Sequence, residues 1–201
     1  MTKVAESKIA LAQTIRAYHA KGWSPATSTN YSFRTEDPNT IYVSCSGIDK
    51  SLFTEYDFME VDLQGVAKPG FEHLRPSAET LIHCAIYELF PDTNCIVHSH
   101  SVYSVLHSAV QSDSVSFEGY EVLKGYEGIK THETVVECPI FDNSQDMIAF
   151  SQRLKQDHSR LTIPAFIMRK HGTYAWGKNL FEAKRHLETT EYLLEVEWKL
   201  R

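Results

Sequence analysis

Short β-type runs joined by tight turns recur between helix-type runs along the chain, and this spacing limits the fold more than any other feature. Tyr31–Arg34, Ile41–Ser44 and 58–63 are separated by turn-forming residues such as Pro38-Asn39 and Gly65. Parallel neighbours need a crossover of roughly a dozen residues, so strands linked this closely argue against a doubly wound sheet. The expected fold is α/β: a three-layer α/β/α domain with a mainly antiparallel central sheet.

Helices fill the remaining stretches. Ile9, Leu11, Ile15 and Tyr18 recur at near-helical spacing over 4–19, ahead of Gly22. Pro76-Ser77-Ala78-Glu79-Thr80 opens a second helix, which carries Leu81, Ile82, Ile86, Leu89 and Phe90 until Pro91 stops it. The segment 95–100 reads as a strand, 102–107 as a short helix, 118–124 as a further helical piece, 134–136 as a β-branched run and 144–154 as a helix. A hairpin follows, with Ala165–Met168, the turn Lys170-His171-Gly172-Thr173 and a second strand to Trp176, before an amphipathic helix over 179–200. No linker, repeat or low-complexity stretch divides the sequence, so 1–201 is expected to form one domain, and 42% hydrophobic residues suffice for a sizeable core.

Charge and cysteine usage narrow the class of partner. A formal net charge of -6 argues against duplex nucleic acid or an anionic membrane, so any anionic ligand must be held locally. No apolar run approaches the roughly 20 residues that span a bilayer, and 1–7 lacks the apolar core of a signal peptide. Cys45, Cys84, Cys95 and Cys138 form no C-x-x-C pair; they are expected as buried free thiols in a reducing, cytoplasmic setting.

The ten histidines are the compositional oddity. In His98-Ser99-His100 the i, i+2 spacing on a strand puts two imidazoles on one face, where a single metal ion can join them. With this many histidines about half an H-x-H arises by chance, so two ordinary strand histidines are the competing reading. His171, in a turn directly after an apolar strand, is the best third ligand, and Gly172 lets the backbone pass close to a bound ion. A solvated turn histidine is the alternative. Three imidazoles would leave open coordination positions, as in catalytic rather than structural zinc sites.

Three hydroxyl-rich segments, Thr27-Ser28-Thr29-Asn30, Ser44-Cys45-Ser46-Gly47 with Lys50 beyond, and Arg75-Pro76-Ser77, are able to cradle a phosphate through amides, hydroxyls and a helix start at Ser77. Serines and threonines also serve turns and caps, which is the bland alternative. Glu79 sits in the first helical turn, where the macrodipole favours a carboxylate. Glu121 is flanked by apolar and aromatic residues that would desolvate it and raise its pKa, unless it is a solvated helix residue.

Taken together these landmarks resemble the class II aldolase/adducin family over essentially the whole chain, and within it the methylthioribulose-1-phosphate dehydratase branch. The resemblance rests on Gly22-Trp23-Ser24-Pro25-Ala26-Thr27, Ser44-Cys45-Ser46-Gly47-Ile48-Asp49-Lys50, Pro76-Ser77-Ala78-Glu79-Thr80, His98-Ser99-His100-Ser101, Gly119-Tyr120-Glu121, Pro139-Ile140-Phe141-Asp142-Asn143 and Arg169-Lys170-His171-Gly172-Thr173. It implies one zinc ion (Zn2+) per subunit on His98, His100 and His171, with Glu79 ligating the metal or acting on the substrate and Glu121 as acid/base. It implies that Asn30, Ser46, Gly47 and Ser77 hold the phosphate of a small phosphorylated sugar. The family's paired serines are here Ser77-Ala78, so one hydroxyl is missing. The implied reaction is dehydration of 5-methylthioribulose 1-phosphate in methionine salvage, by a homo-oligomer, commonly a tetramer. A sugar-phosphate aldolase or 4-epimerase of the same family is the alternative; a non-catalytic adducin-like interaction domain is disfavoured by the intact histidine set.

Overall fold

The computed structural model describes residues 2–201; Met1, the first residue of the 1–7 stretch and of the expected domain, lies outside them. Eight strands form one sheet in the order β3-β2-β1-β4-β8-β7-β6-β5. In chain order they are β1 (Tyr31–Arg34), β2 (Ile41–Ser44), β3 (Phe58–Val61), β4 (Cys95–Ser99), β5 (Ser114–Glu118), β6 (Val135–Phe141), β7 (Ala165–Met168) and β8 (Gly172–Gly177). The helices are α1 (Lys3–Ala20), α2 (Thr80–Leu89), α3 (Val102–Val110), α4 (Met147–Gln156) and α5 (Leu180–Lys199). The neighbouring strands run antiparallel except β6 and β7, so the expected mainly antiparallel sheet is in detail a mixed one.

Period-2 alternation on the strands divides the buried side chains between two layers. On one face Val97 and Ala175 pack with Leu11 and Ile15 of α1 and Leu187 and Leu194 of α5. On the other, Ile96, Tyr174 and Trp176 pack with Ile82 and Ile86 of α2 and Phe150 and Leu154 of α4. This is the three-layer arrangement. Full burial of each Val, Leu, Ile or Phe side chain among them is worth about 1.5–3 kcal/mol. Among the described residues no helix is long and apolar enough to cross a membrane, and all four cysteines are free, three buried and Cys84 half-buried.

Several expected boundaries move. The segment 118–124 is not a helix: Ser114–Glu118 alternates buried and outward residues as a strand, Gly119 turns the chain at φ +78°, and only a 3-10 turn, Glu121–Gly125, follows. The run at 134–136 grows into β6, α3 extends to Val110, and β3 stops at Val61. Strand β4 ends at Ser99, leaving His100 just past it. The helix placed at Ser77 starts at Thr80, because the amides of Thr80 and Ile82 bond back to the carbonyls of Ser77 and Glu79 in a preceding tight turn. That turn commits the amides of Thr80 and Ile82 to backbone carbonyls.

The pairing of β4 with β8 places the chemistry. Its register sets His98 opposite Tyr174 and Ser99 opposite Thr173. At the open end of this ladder Gly172 is obligatory for space: a Cβ there would lie 1.9 Å from the Ser99 carbonyl oxygen. Gly172→Ala must push β8 from β4 and is expected to lower stability by about 1–3 kcal/mol, as overpacking does. Urea unfolding measures this, and an unchanged midpoint would show that the two strands part freely.

Candidate functional site

Three imidazoles converge where β4 ends and the β7–β8 turn returns. The ligand atoms of His98, His100 and His171 all lie within 4.8 Å of one another, and the Nε2 atoms of His98 and His100 are 2.8 Å apart. The buried Nδ1 of His98 donates to the Thr173 carbonyl at 2.9 Å, which leaves the Nε2 lone pair facing the cluster. Tyr174, its partner in the register, stacks on the His98 ring at 3.8 Å and 12°. Lys170 adopts φ +53°, a left-handed turn that brings His171 round to the others.

Burial keeps these rings neutral. It pushes His98 far down and His100 down to about 3, in both cases aided by the charge a neighbouring imidazole would carry, and it lowers His171 against the pull of Glu79. Neutral imidazoles are the form that ligates a metal. Three such rings, with ligand atoms this close together, are a donor set suited to a divalent ion. Imidazoles suit several first-row metals.

Glu79 completes the cluster. It occupies the N-cap position of α2, yet its side chain makes no capping bond. The carboxylate turns to the sheet instead: Oε1 lies 3.5 Å from His171 Nε2, and Oε2 lies 3.5 Å from His98 Nε2. Oε2 also accepts from Asn30 Nδ2 at 2.6 Å and from the Tyr174 hydroxyl at 2.5 Å. Of the two readings of Glu79, a carboxylate serving the helix dipole and one acting at the metal or substrate, the side chain's turn toward the histidine cluster favours the second.

A cavity of about 340 Å³ opens over these groups, lined by Asn30, Ser46, Gly47, Ser77, Glu79, His100 and His171 with Thr27–Thr29, Ser44 and Cys45. The four residues expected to hold phosphate thus share one cavity with two of the three histidines, while His98 is fully buried beside His100 and outside the lining. Asn30 does more than line it, since its amide is already bonded to Glu79. A wider cleft of about 650 Å³ between the starts of α1 and α5 has no histidine in its lining.

The loops around the cavity are held from behind. Lys50, 1% exposed, donates from Nζ to the carbonyls of Ile48 at 2.9 Å and Thr27 at 3.4 Å, tying two cavity loops together. Burial lowers its pKa, opposed by Asp49 and Asp57. Ala26 and Thr29 adopt φ of +54° and +71°, strained for residues with a Cβ, and Thr29 is β-branched. Buried contacts of the Thr29 hydroxyl with Ser24 and Tyr31 hold that conformation.

Glu121 is the expected site residue that the fold does not bring in. It does not line the cavity; its side chain is 71% exposed and pairs with Lys124 at 2.5 Å and His132 at 3.5 Å. The bond from Lys124 lowers its pKa, which corrects the expectation of a desolvated, raised carboxyl. The sequence reading also missed Glu191. This buried carboxyl on α5, its pKa raised by burial, accepts from Ser99 between the two strand histidines.

The family model described as the class II aldolase and adducin N-terminal domain matches residues 9–198. The methylthioribulose-1-phosphate dehydratase of Picosynechococcus sp. is 51% identical over 189 residues, 93% of this chain and 89% of the relative. That of Xanthomonas oryzae pv. oryzae is 42% identical over 194 residues, 94% of this chain and 84% of the relative. Among solved structures, YgbL of Escherichia coli superposes with a TM-score of 0.83 at 19% identity, covering 100% of this chain and 92% of that one; this likeness concerns the fold alone.

The buried imidazoles make stability depend on pH. His83 of α2 is fully buried and pushed down to about 3, whereas in the unfolded chain it titrates near 6.5. Below about 6.5 the unfolded state binds a proton that the native state refuses, so stability present above that pH is lost as pH falls toward 3. At about 1.4 kcal/mol per pH unit, His83 alone costs about 2 kcal/mol between pH 6.5 and 5. Urea unfolding of metal-free protein at pH 7 and 5 should show the loss, and His83→Gln should reduce it by about that amount.

Proposed function

The chain belongs to the class II aldolase and adducin N-terminal domain family, and from that premise we propose that it is a zinc-dependent methylthioribulose-1-phosphate dehydratase. The observation that carries this reading is the match, over nearly the full length, to proteins bearing that name; the three-histidine cluster supports it. The substrate is 5-methylthioribulose 1-phosphate. Loss of the C3 proton and of the C4 hydroxyl as water leaves an enol, which ketonises to 2,3-diketo-5-methylthiopentyl 1-phosphate.

His98, His100 and His171 would hold one zinc ion per subunit. Bound there, zinc supplies Lewis acidity that polarises the ketose carbonyl and so acidifies the neighbouring C–H. Asn30, Ser46, Gly47 and Ser77 would anchor the phosphate and fix the sugar's direction in the cavity. Hydroxyls and loop amides suit that task in a chain with net charge -6.

The two carboxylates divide the remaining work. Glu79, with both oxygens turned to the histidines, would hold the metal site or the substrate oxygens beside it. Glu121 would take the C3 proton and deliver it to the departing hydroxyl. It lies outside the cavity of its own chain, so this role calls for a homo-oligomer, which we take to be a tetramer, in which a neighbouring subunit presents Glu121. Four free thiols suit the cytoplasm as its compartment.

Product NMR with zinc-loaded protein and 5-methylthioribulose 1-phosphate tests the reaction. One diketone should form with no aldehyde fragment, whereas an aldehyde would mark C–C cleavage and an aldolase. Two variants separate the carboxylates. Glu79→Gln should lose metal affinity along with activity, while Glu121→Gln should keep its metal and lose about 10²- to 10⁴-fold in kcat, the usual worth of a positioned acid/base. A Glu121→Gln enzyme with normal kcat would remove Glu121 from the reaction.

A further inference from the structure

His83 is a buried, titratable side chain that the reaction as described does not use. It sits on α2 one turn after Glu79, is 1% exposed and lies outside the three-histidine cluster. Both ring nitrogens are bonded: Nδ1 to Ser32 Oγ at 2.6 Å and Nε2 to Asn30 Oδ1 at 2.5 Å. Ser32 Oγ in turn meets the Tyr87 hydroxyl at 2.8 Å. With the bond from Asn30 Nδ2 to Glu79 Oε2, these contacts form one chain from Tyr87 to the candidate site.

Every proton in this chain follows from its last member. An ionised carboxylate only accepts, so the Asn30 amide must turn its NH2 to Glu79. The opposite flip would set two oxygens 2.6 Å apart. Asn30 Oδ1 then faces His83, and because that oxygen also only accepts, His83 Nε2 must carry the hydrogen. A neutral ring protonated at Nε2 accepts at Nδ1, so Ser32 donates to it and accepts from Tyr87. Burial independently keeps the ring neutral, pushing it down to about 3.

We propose that His83 is a positioning residue: through Asn30 it fixes the Glu79 carboxylate, and Ser32, backed by Tyr87, donates to the Nδ1 that this tautomer leaves as an acceptor. The proposal rests on the reading of the Glu79 cavity as the active site. It also redefines Asn30, whose oxygen and one amide hydrogen are committed to the relay, leaving a single hydrogen for a substrate phosphate. Without the His83 donor, Asn30 loses the contact that selects its rotamer, and Glu79 keeps only the Tyr174 hydroxyl.

His83→Phe retains an aromatic ring and cannot donate; His83→Gln restores an N–H near the Nε2 position. In metal-free protein labelled with ¹⁵N, the Asn30 side-chain amide should shift in His83→Phe and return toward the wild-type position in His83→Gln. In the zinc-loaded enzyme, His83→Phe should lower kcat by about 10- to 100-fold with KM changed less than about threefold, and His83→Gln should recover most of the loss, as expected for a residue acting through another. Ser32→Ala, the mildest change, should leave the protein folded with the His83 ring still protonated at Nε2, because Asn30 selects that tautomer; the ring ¹⁵N shifts of this variant decide the matter should His83→Phe fail to fold. The proposal is overturned by an Asn30 amide indifferent to His83→Phe, by a loss carried entirely in KM, by a His83→Gln no better than His83→Phe, or by a His83 ring protonated at Nδ1 in Ser32→Ala. If wild-type enzyme fails to dehydrate the ketose phosphate while the Asn30 amide still responds, the relay stands and the assigned reaction falls.

Discussion

The register between β4 and β8 is the constraint from which the site follows. A one-residue slip would turn His98 from the α2 face to the α5 face and exchange it with Ser99. In the native register three dependent contacts form together: the Thr173 carbonyl takes the His98 Nδ1 hydrogen, Tyr174 stacks on the ring, and the Tyr174 hydroxyl reaches Glu79. Glu191 holds Ser99 from the other layer. Each of these side chains is buried between sheet and helix, so the orientation of the imidazoles is set by packing before any ligand arrives.

Among the described residues, the α-helix without a side-chain cap and the non-glycine residues of positive φ lie around this centre. Helices α1, α3, α4 and α5 are each capped by the side chain of Thr2, Ser101, Asp146 or Asn179, whereas α2 has a glutamate at its N-cap that bonds elsewhere. A missing side-chain cap costs about 0.5–2 kcal/mol. The bonds of Glu79 to Asn30 and Tyr174 offset that loss within the fold, and the strained backbones of Ala26 and Thr29 border the same cavity. Stability forgone at such positions is the usual signature of a site shaped for a ligand.

The histidine triad was legible because strand periodicity sets His98 and His100 on one face and a turn-forming Gly172 adjoins His171. The hydroxyl-rich loops were legible as loops, and the resemblance gave them a purpose. The links that order the site were not. Tyr174 meets Glu79 across 95 positions, Ser99 meets Glu191 across 92 and His83 meets Asn30 across 53, and only the register and the helix packing make these pairs neighbours. Glu121 was misread for a related reason. Apolar neighbours in sequence desolvate a carboxyl only when they surround it in space, and a short 3-10 turn leaves this one in water beside Lys124. The strand β5 escaped because its outward positions are serine and glutamate, which dilute a five-residue alternation.

Charge balance ties the buried groups to the opening arithmetic of the sequence. The three cluster imidazoles are neutral and add nothing. Among the described residues, Glu79 is the one Asp, Glu, Lys or Arg side chain in the cavity lining, and the Lys50 ammonium beneath the loops interacts with Asp49 and Asp57. The side chains therefore present a nearly neutral cradle in a chain of net charge -6, with no surplus of fixed cations to attract a phosphate dianion. Only a divalent ion on the histidines would give the cavity a net positive charge. The same neutrality that makes the imidazoles ligands makes the site's affinity for anions depend on the metal they hold.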